Sequence, residues 1–211
     1  MGKFKNIVFD FDSTLVKIEG LDEIARCQGK LADIEQITNA GMDGALPFSK
    51  SLRTRFDQLA PNIKDIDFLI DAYERALVPG AAEVIAKFQE NGANIFISTG
   101  GIKAAVLPVA KDLGIKQEHV FAVCTNLDMY GNLKLKNSCL MTRDGGKAQV
   151  VAMIQRLGPT VMIGDGMTDF EAGKYADKFI GFGGIVERES VKSLSDTYIT
   201  EGALYKLLEL C

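Results

Sequence analysis

Four short runs, NIVF at 6–9, ANIFIS at 93–98, HVFAV at 119–123 and TVMIG at 160–164, are almost wholly apolar and rich in β-branched or aromatic residues. A strand with one wet face alternates apolar and polar residues, whereas a strand covered on both faces does not. These runs therefore ask for helices above and below them. The intervening segments meet that demand: GAAEVIAKFQENG, GIKAAVLPVAKDLG and GKAQVVAMIQRLG carry apolar residues at helical spacing, and a glycine closes each. Strand and helix in alternation predict an α/β protein built on a doubly wound parallel sheet. DKFIGFGG and DTYIT read as two more short strands, and GALYKLLEL as a terminal helix.

Two stretches break the alternation. Residues 17–77 hold no strand signal and instead carry the helical patterns LDEIARCQG, IEQITNAGMDG, FSKSLRTRFDQL and IDFLIDAYERAL. They predict a helical insertion after the first strand, ending near Val78-Pro79-Gly80. LDMYGNLKLK alternates around Tyr130-Gly131-Asn132 and predicts a β-hairpin. Residues 1–16 and 78–211 are thus expected to form one core, and residues 17–77 a lid hinged near 16–20 and 77–80.

Composition removes several function classes. With 47% apolar and 25% charged residues over 211 positions, the chain has the makings of a sizeable core and not of a disordered segment. A net charge of -4 offers no positive field for a nucleic-acid backbone, so no nucleic-acid partner is expected. No apolar run approaches the roughly 20 residues of a membrane span. MGKFKNIVFDFD has too short an apolar run for a signal peptide, and Asn6 stands where a myristoylation signal wants Ser or Thr. Cys27, Cys124, Cys139 and Cys211 show no CxxC spacing and read as reduced thiols of a cytoplasmic protein. The single histidine, His119, reads as a strand-edge imidazole, because one histidine builds neither a zinc site nor a paired catalytic triad.

Ligands of an open parallel sheet sit at the carboxyl ends of its strands. The first strand ends in Asp10-Phe11-Asp12-Ser13-Thr14, the second in Ser98-Thr99-Gly100-Gly101, and a later one in Gly164-Asp165-Gly166-Met167-Thr168-Asp169. Lys147 opens the helix that leads to that last strand. Singly, each is ordinary: a Gly pair makes a turn, an Asp caps a helix. Together, four aspartates at one rim would repel one another unless a cation joined them. Mg²⁺ takes hard oxygen ligands and accepts one or two carboxylates plus a phosphate. One aspartic acid that stays protonated would ease the charge further and serve as a proton donor to a leaving group.

DFDST, ISTGG, Lys147 and GDGMTD, in this order and spanning most of the chain, resemble the motifs of the haloacid dehalogenase superfamily. The resemblance implies phosphoryl transfer through an aspartyl-phosphate. Asp10 would be the nucleophile and Asp12 the acid and base. Asp10, the backbone carbonyl of Asp12 and Asp165 would hold Mg²⁺. Thr99, Gly100 and Lys147 would bind the phosphoryl oxygens, and Asp169 would fix Lys147 or a metal-bound water. Because a dehalogenase has no alkoxide to protonate, Asp12 favours phosphate esters.

The lid resembles that of the phosphoserine phosphatase family through DFDSTLVKIEGLDEIA and GMDGALPFSKSLRTRF, and GFGGIVERESVK resembles that family's C-terminal part. This implies O-phospho-L-serine as substrate. Glu19 would meet its ammonium and Arg55 its carboxylate, Met42 and Phe48 would cover its side chain, and Thr168 would touch the carboxylate or the lid. On residue type alone Glu19 is equally a helix N-terminal acid and Arg55 a solvated charge. The family usually has Ser-Gly-Gly where this chain has Ser98-Thr99-Gly100-Gly101, so either hydroxyl is open to face phosphate; Thr99 is favoured because it abuts the glycines. The same core chemistry also admits another small phosphomonoester, transfer to an alcohol, or an idle phosphometabolite sensor. The sequence leaves the oligomeric state open.

Overall fold

The first apolar run lies at the middle of the sheet. In the computed structural model, which describes residues 3–211, Asn6–Phe9 forms β1, and Ile7, Val8 and Phe9 are at most 1% exposed. Asn94–Ile102 (β2) and Val120–Val123 (β3) extend the sheet on one side. Thr160–Gly164 (β6), Lys178–Phe182 (β7) and Thr197–Ile199 (β8) extend it on the other. All six are parallel, in the order β3-β2-β1-β6-β7-β8. The predicted hairpin is Thr125–Leu127 (β4) against Leu133–Leu135 (β5), a separate two-stranded antiparallel sheet. Asp128 shapes its turn, Oδ1 accepting from the Tyr130 and Asn132 amides at 2.9 Å each.

Helices Gly20–Cys27 (α1), Leu31–Met42 (α2), Phe48–Leu59 (α3) and Ile63–Arg75 (α4) all fall between β1 and β2. Asn62 starts α4 with a reciprocal cap, its Oδ1 accepting from the Lys64 amide and Asp65 Oδ2 from the Asn62 amide. The segment leaves and rejoins the core side by side. Val16 bridges Leu77, the Lys17 amide donates to Ala76 O at 2.8 Å, and the Val78 amide donates to Leu15 O at 2.9 Å. Ala81–Glu90 (α5) and Lys103–Asp112 (α6) pack on β2, with α6 also against α4; Gly146–Gln155 (α7) and Met167–Gly173 (α8) pack on each other and on β6. Glu189–Lys192 (α9) and Leu207–Leu210 (α10) are short.

Two expectations need refining. The glycine pair after Ser98 is no turn: β2 continues through Gly100 and Gly101 to Ile102, because a register shift against β3 lets Ile102 pair with Val123. The C-terminal helix is a 3₁₀ turn, Leu204–Lys206, followed by one α turn. His119 is satisfied at the sheet edge, Nδ1 lying 3.0 Å from Ile95 O. All four cysteines are free thiols. Among the described residues no helix is long and apolar enough to cross a membrane.

Candidate active site

The strand order reverses at β1, the place where an α/β sheet opens a crevice at its carboxyl edge. Phe9 and Ile163 are register partners, so Asp10 and Asp165 leave neighbouring strands together; the Asp10 amide donates to Ile163 O at 2.8 Å. Asp10 Oδ1 accepts from the Phe11 amide at 2.7 Å, and Oδ2 meets Lys147 Nζ at 2.8 Å. Lys147 enters from the first turn of α7 and also donates to Asp169 Oδ1 at 2.7 Å. Asp169 Oδ2 accepts from the Gly166 amide at 3.0 Å, so both oxygens of Asp169 are engaged. That arrangement requires Gly164, where a Cβ would stand 2.3 Å from Asp169 Cγ. Thr14 Oγ1 donates to Asp165 Oδ1 at 3.2 Å. Carboxylate oxygens of Asp10, Asp165 and Asp169 lie within 4.8 Å of one another, all three residues buried.

One cavity joins this rim to the helical segment. Asp10, Asp12, Thr99, Gly100, Lys147 and Thr168 line its core side, and Glu19, Met42, Phe48 and Arg55 line the opposite side. Asp165 and Asp169 stand in the carboxylate cluster and do not line the cavity. Thr99 lines it whereas Ser98 does not: the Ser98 hydroxyl is buried without a partner, and Thr99 Oγ1 accepts from the Gly101 amide at 2.9 Å. Glu19 Oε1 accepts from Ser13 Oγ at 2.8 Å. Arg55 donates from Nη1 to Thr38 Oγ1 at 3.0 Å, and Thr38 in turn donates to Asp22 Oδ1 at 2.6 Å. Its Nε is buried with no partner. Arg53 is exposed and reaches Asn137 Oδ1 at 3.3 Å, away from the cavity.

Residues 4–177 match the haloacid dehalogenase-like hydrolase family. Phosphoserine phosphatase of Mus musculus is 36% identical over 201 residues, 92% of this chain and 88% of that one. The chain belongs to the haloacid dehalogenase-like hydrolases, in the phosphoserine phosphatase family. A phosphoserine phosphohydrolase-like protein from Francisella tularensis superposes with a TM-score of 0.89 at 34% identity, over 98% of this chain and 99% of that one. A phospho-aspartyl intermediate analogue of phosphoserine phosphatase does so with a TM-score of 0.86 at 28% identity, over 99% of each chain.

The electrostatics of this haloacid dehalogenase-like rim follow from burial. Burial raises Asp165 well above the usual carboxylate range, with repulsion from Asp10 and Glu19 adding to it. Burial and Asp10 likewise carry Asp169 up to about 7 against the pull of Lys147. For Lys147, burial favours the neutral amine, but the Asp10 and Asp169 carboxylates outweigh it and hold the ammonium above its ordinary range. Three crowded carboxylates against Lys147 and the buried Arg188 guanidinium still leave an excess of negative charge, and the all-oxygen donor set fits a hard divalent cation. Asp165 is the most loosely engaged of the three, its contacts being 3.2 Å to Thr14 and 3.5 Å to Arg188, whereas both Asp169 oxygens are held at 3.0 Å or less, which suits Asp169 to steadying Lys147.

Glu19 is raised to about 7, by burial first, with the Ser13 hydroxyl and Arg55 opposing. Its unfolded carboxyl ionises near 4.5 and its folded one near 7, so the folded chain binds the extra proton in between. Stability contributed by this group therefore falls as pH rises through that window. Glu19→Gln is expected to raise the unfolding free energy of EDTA-treated protein at about pH 8 by about 1–2 kcal/mol, allowing for its partial exposure, and to change little at about pH 4.5. Denaturant melts at the two pH values measure this; a destabilised variant at the higher pH counts against it.

Three side chains at the site carry no motif of their own. Arg188 is buried, its Nε 3.5 Å from Asp165 Oδ2 and its Nη1 3.2 Å from Asp43 Oδ1 at the end of α2, tying the helical segment to the carboxylate cluster. It lies within GFGGIVERESVK, a stretch whose sequence carries a family likeness but no sign of these two partners. Thr38 and Tyr73 lie on the inward faces of α2 and α4, where helical periodicity marks burial but not what a hydroxyl meets.

Proposed function

We propose that this chain hydrolyses O-phospho-L-serine to L-serine and phosphate, with Mg²⁺ as cofactor and an aspartyl-phosphate on Asp10 as intermediate. The observation that carries the reading is the division of one cavity into two chemistries. Its core side presents Asp10, Asp12, Thr99 and Lys147, a set suited to a phosphoryl group; its other side presents Glu19 and Arg55, opposite charges suited to an ammonium and a carboxylate. The unpartnered Arg55 Nε gives the guanidinium a free donor for that carboxylate. Residues 17–77 act as the cover and residues 1–16 with 78–211 as the catalytic core, the two joined at the Val16–Leu77 bridge.

Lys147 and the Thr99 hydroxyl orient the phosphoryl oxygens, and Asp169 steadies Lys147. Asp10 attacks phosphorus, forming a new O–P bond as the bond to the seryl oxygen breaks, and Asp12 passes its proton to that oxygen. Burial, with repulsion from Glu19 and Asp10, raises Asp12 well above its ordinary range, which supports a protonated acid at this point. Asp12 then takes a proton from water as the water oxygen bonds to phosphorus and Asp10 is released. Asp10, Asp165 and the Asp12 backbone carbonyl would hold Mg²⁺, which supplies positive charge beside the phosphoryl oxygens. Met42 and Phe48 keep water from the seryl side chain. Four free thiols suit a reducing compartment, and we place the chain in the cytoplasm.

A phosphate-release screen across small phosphomonoesters, with and without EDTA, tests the reading. O-phosphoserine is expected to be the best substrate, with release abolished by EDTA and restored by added Mg²⁺. Release indifferent to EDTA, or equal for esters lacking an amino-acid end, counts against it.

A further inference from the structure

We infer that Tyr73 is a positioning residue for Asp12: its phenolic O–H binds Asp12 Oδ1 and thereby leaves Oδ2 as the oxygen that exchanges a proton with the substrate. This deepens the phosphatase reading above and rests on it. Asp12 Oδ1 and Tyr73 Oη are both buried, both lack a hydrogen-bond partner, and their residues line the same cavity. A phenol is a donor and a carboxyl oxygen an acceptor, so each atom is what the other lacks.

Two features aim the phenol there. Its ring stands edge-on to Phe11, the residue between the two aspartates, with centroids 4.9 Å apart and planes at 88°. Gly20 opens the slot it occupies: a Cβ on Gly20 would lie 2.0 Å from Tyr73 Oη. Asp12 Oδ2 lies 3.4 Å from where a Gly101 Cβ would stand, as does Thr99 Oγ1, along the cavity wall that carries Thr99. Asp12 belongs to the β1 loop and Tyr73 to α4 of the helical segment, so the contact links the seating of that segment to the aim of the acid.

Tyr73 keeps its own proton throughout. By donating to Oδ1 it leaves the mobile proton on Oδ2, from which it passes to the seryl oxygen as the P–O bond breaks and the Asp10–P bond forms. In the second step the same oxygen receives the proton of the attacking water while the Asp10–P bond breaks.

Tyr73→Phe removes the hydroxyl and keeps the Phe11 contact. In single-turnover experiments, serine release from O-phosphoserine is expected to slow about tenfold with KM unchanged, because a seryl alkoxide needs a proton to leave. Nitrophenolate release from p-nitrophenyl phosphate, which needs none, is expected to stay within about twofold. Gly20→Ala, which displaces the hydroxyl while keeping the tyrosine, is expected to shift the ratio of the two rates in the same sense, and it carries the test should Tyr73→Phe fail to fold. Equal slowing of both substrates, or an unshifted ratio, overturns the inference alone. A wild-type chain that turns over neither substrate overturns the functional reading itself.

Discussion

Asp10→Asn is expected to lower phosphate release from O-phosphoserine by about 10⁴-fold or more while leaving the chain folded, since an amide is no nucleophile toward phosphorus. The substitution is nearly isosteric. The amide oxygen still accepts from the Phe11 amide as Oδ1 does at 2.7 Å, and the lost partner is the 2.8 Å contact of Oδ2 with Lys147. Lys147 keeps Asp169 at 2.7 Å and is not left as an unpaired buried charge. Asp165 and Asp169, both raised in part by Asp10, lose a repulsive neighbour. The rate therefore collapses for a chemical reason and not through unfolding, and an unchanged thermal transition beside the lost activity is the signature. Wild-type protein trapped with beryllofluoride or a slow substrate should carry its adduct at Asp10. A variant with wild-type turnover, or an adduct on any other side chain, would remove the nucleophile assignment and the mechanism with it.

The parts of the molecule legible in the sequence are those where one physical demand acts on a contiguous run. NIVF and TVMIG read as central strands because helices cover both faces of the sheet, and every residue of β1 and β6 is buried. Asp10 and Asp165 could be placed at one rim because parallel strands end on the same side, whatever the chain does between them. Where the outcome depends on a distant partner, the sequence is mute. The Gly100-Gly101 pair looks like a turn and is part of a strand because β2 takes up extra residues between Ser98 and Ile102, whose partners Phe121 and Val123 are only two apart in β3. Arg188 looks like one more charge in a loop until Asp43 and Asp165, from two other elements, close around it. Tyr73 shows its inward face by helical spacing, but not that its hydroxyl is buried without a partner in the cavity it shares with Asp12.

Arg55→Ala is expected to cut kcat/KM for O-phosphoserine about a hundred- to a thousandfold, while changing that for p-nitrophenyl phosphate less than about threefold. Arg55 is only 9% exposed, and its guanidinium is held through Thr38, which is itself bonded to Asp22. Its orientation is thus set before any ligand arrives, and its buried, unpartnered Nε is a donor already stripped of water. Removing it does more than delete one contact. Glu19 and Asp22, both raised by burial and both relieved by Arg55, would stand without a nearby cation and repel an incoming carboxylate. An aryl phosphate brings no carboxylate and leaves the phosphoryl side of the cavity undisturbed. Arg55→Lys separates charge from shape: it restores the positive charge but not the planar fork, so it should recover part of the loss and no more. If both substrates weakened alike in Arg55→Ala, the residue would be supporting the helical segment and the amino-acid assignment would fall, with the phosphoryl chemistry on Asp10 left standing on its own evidence.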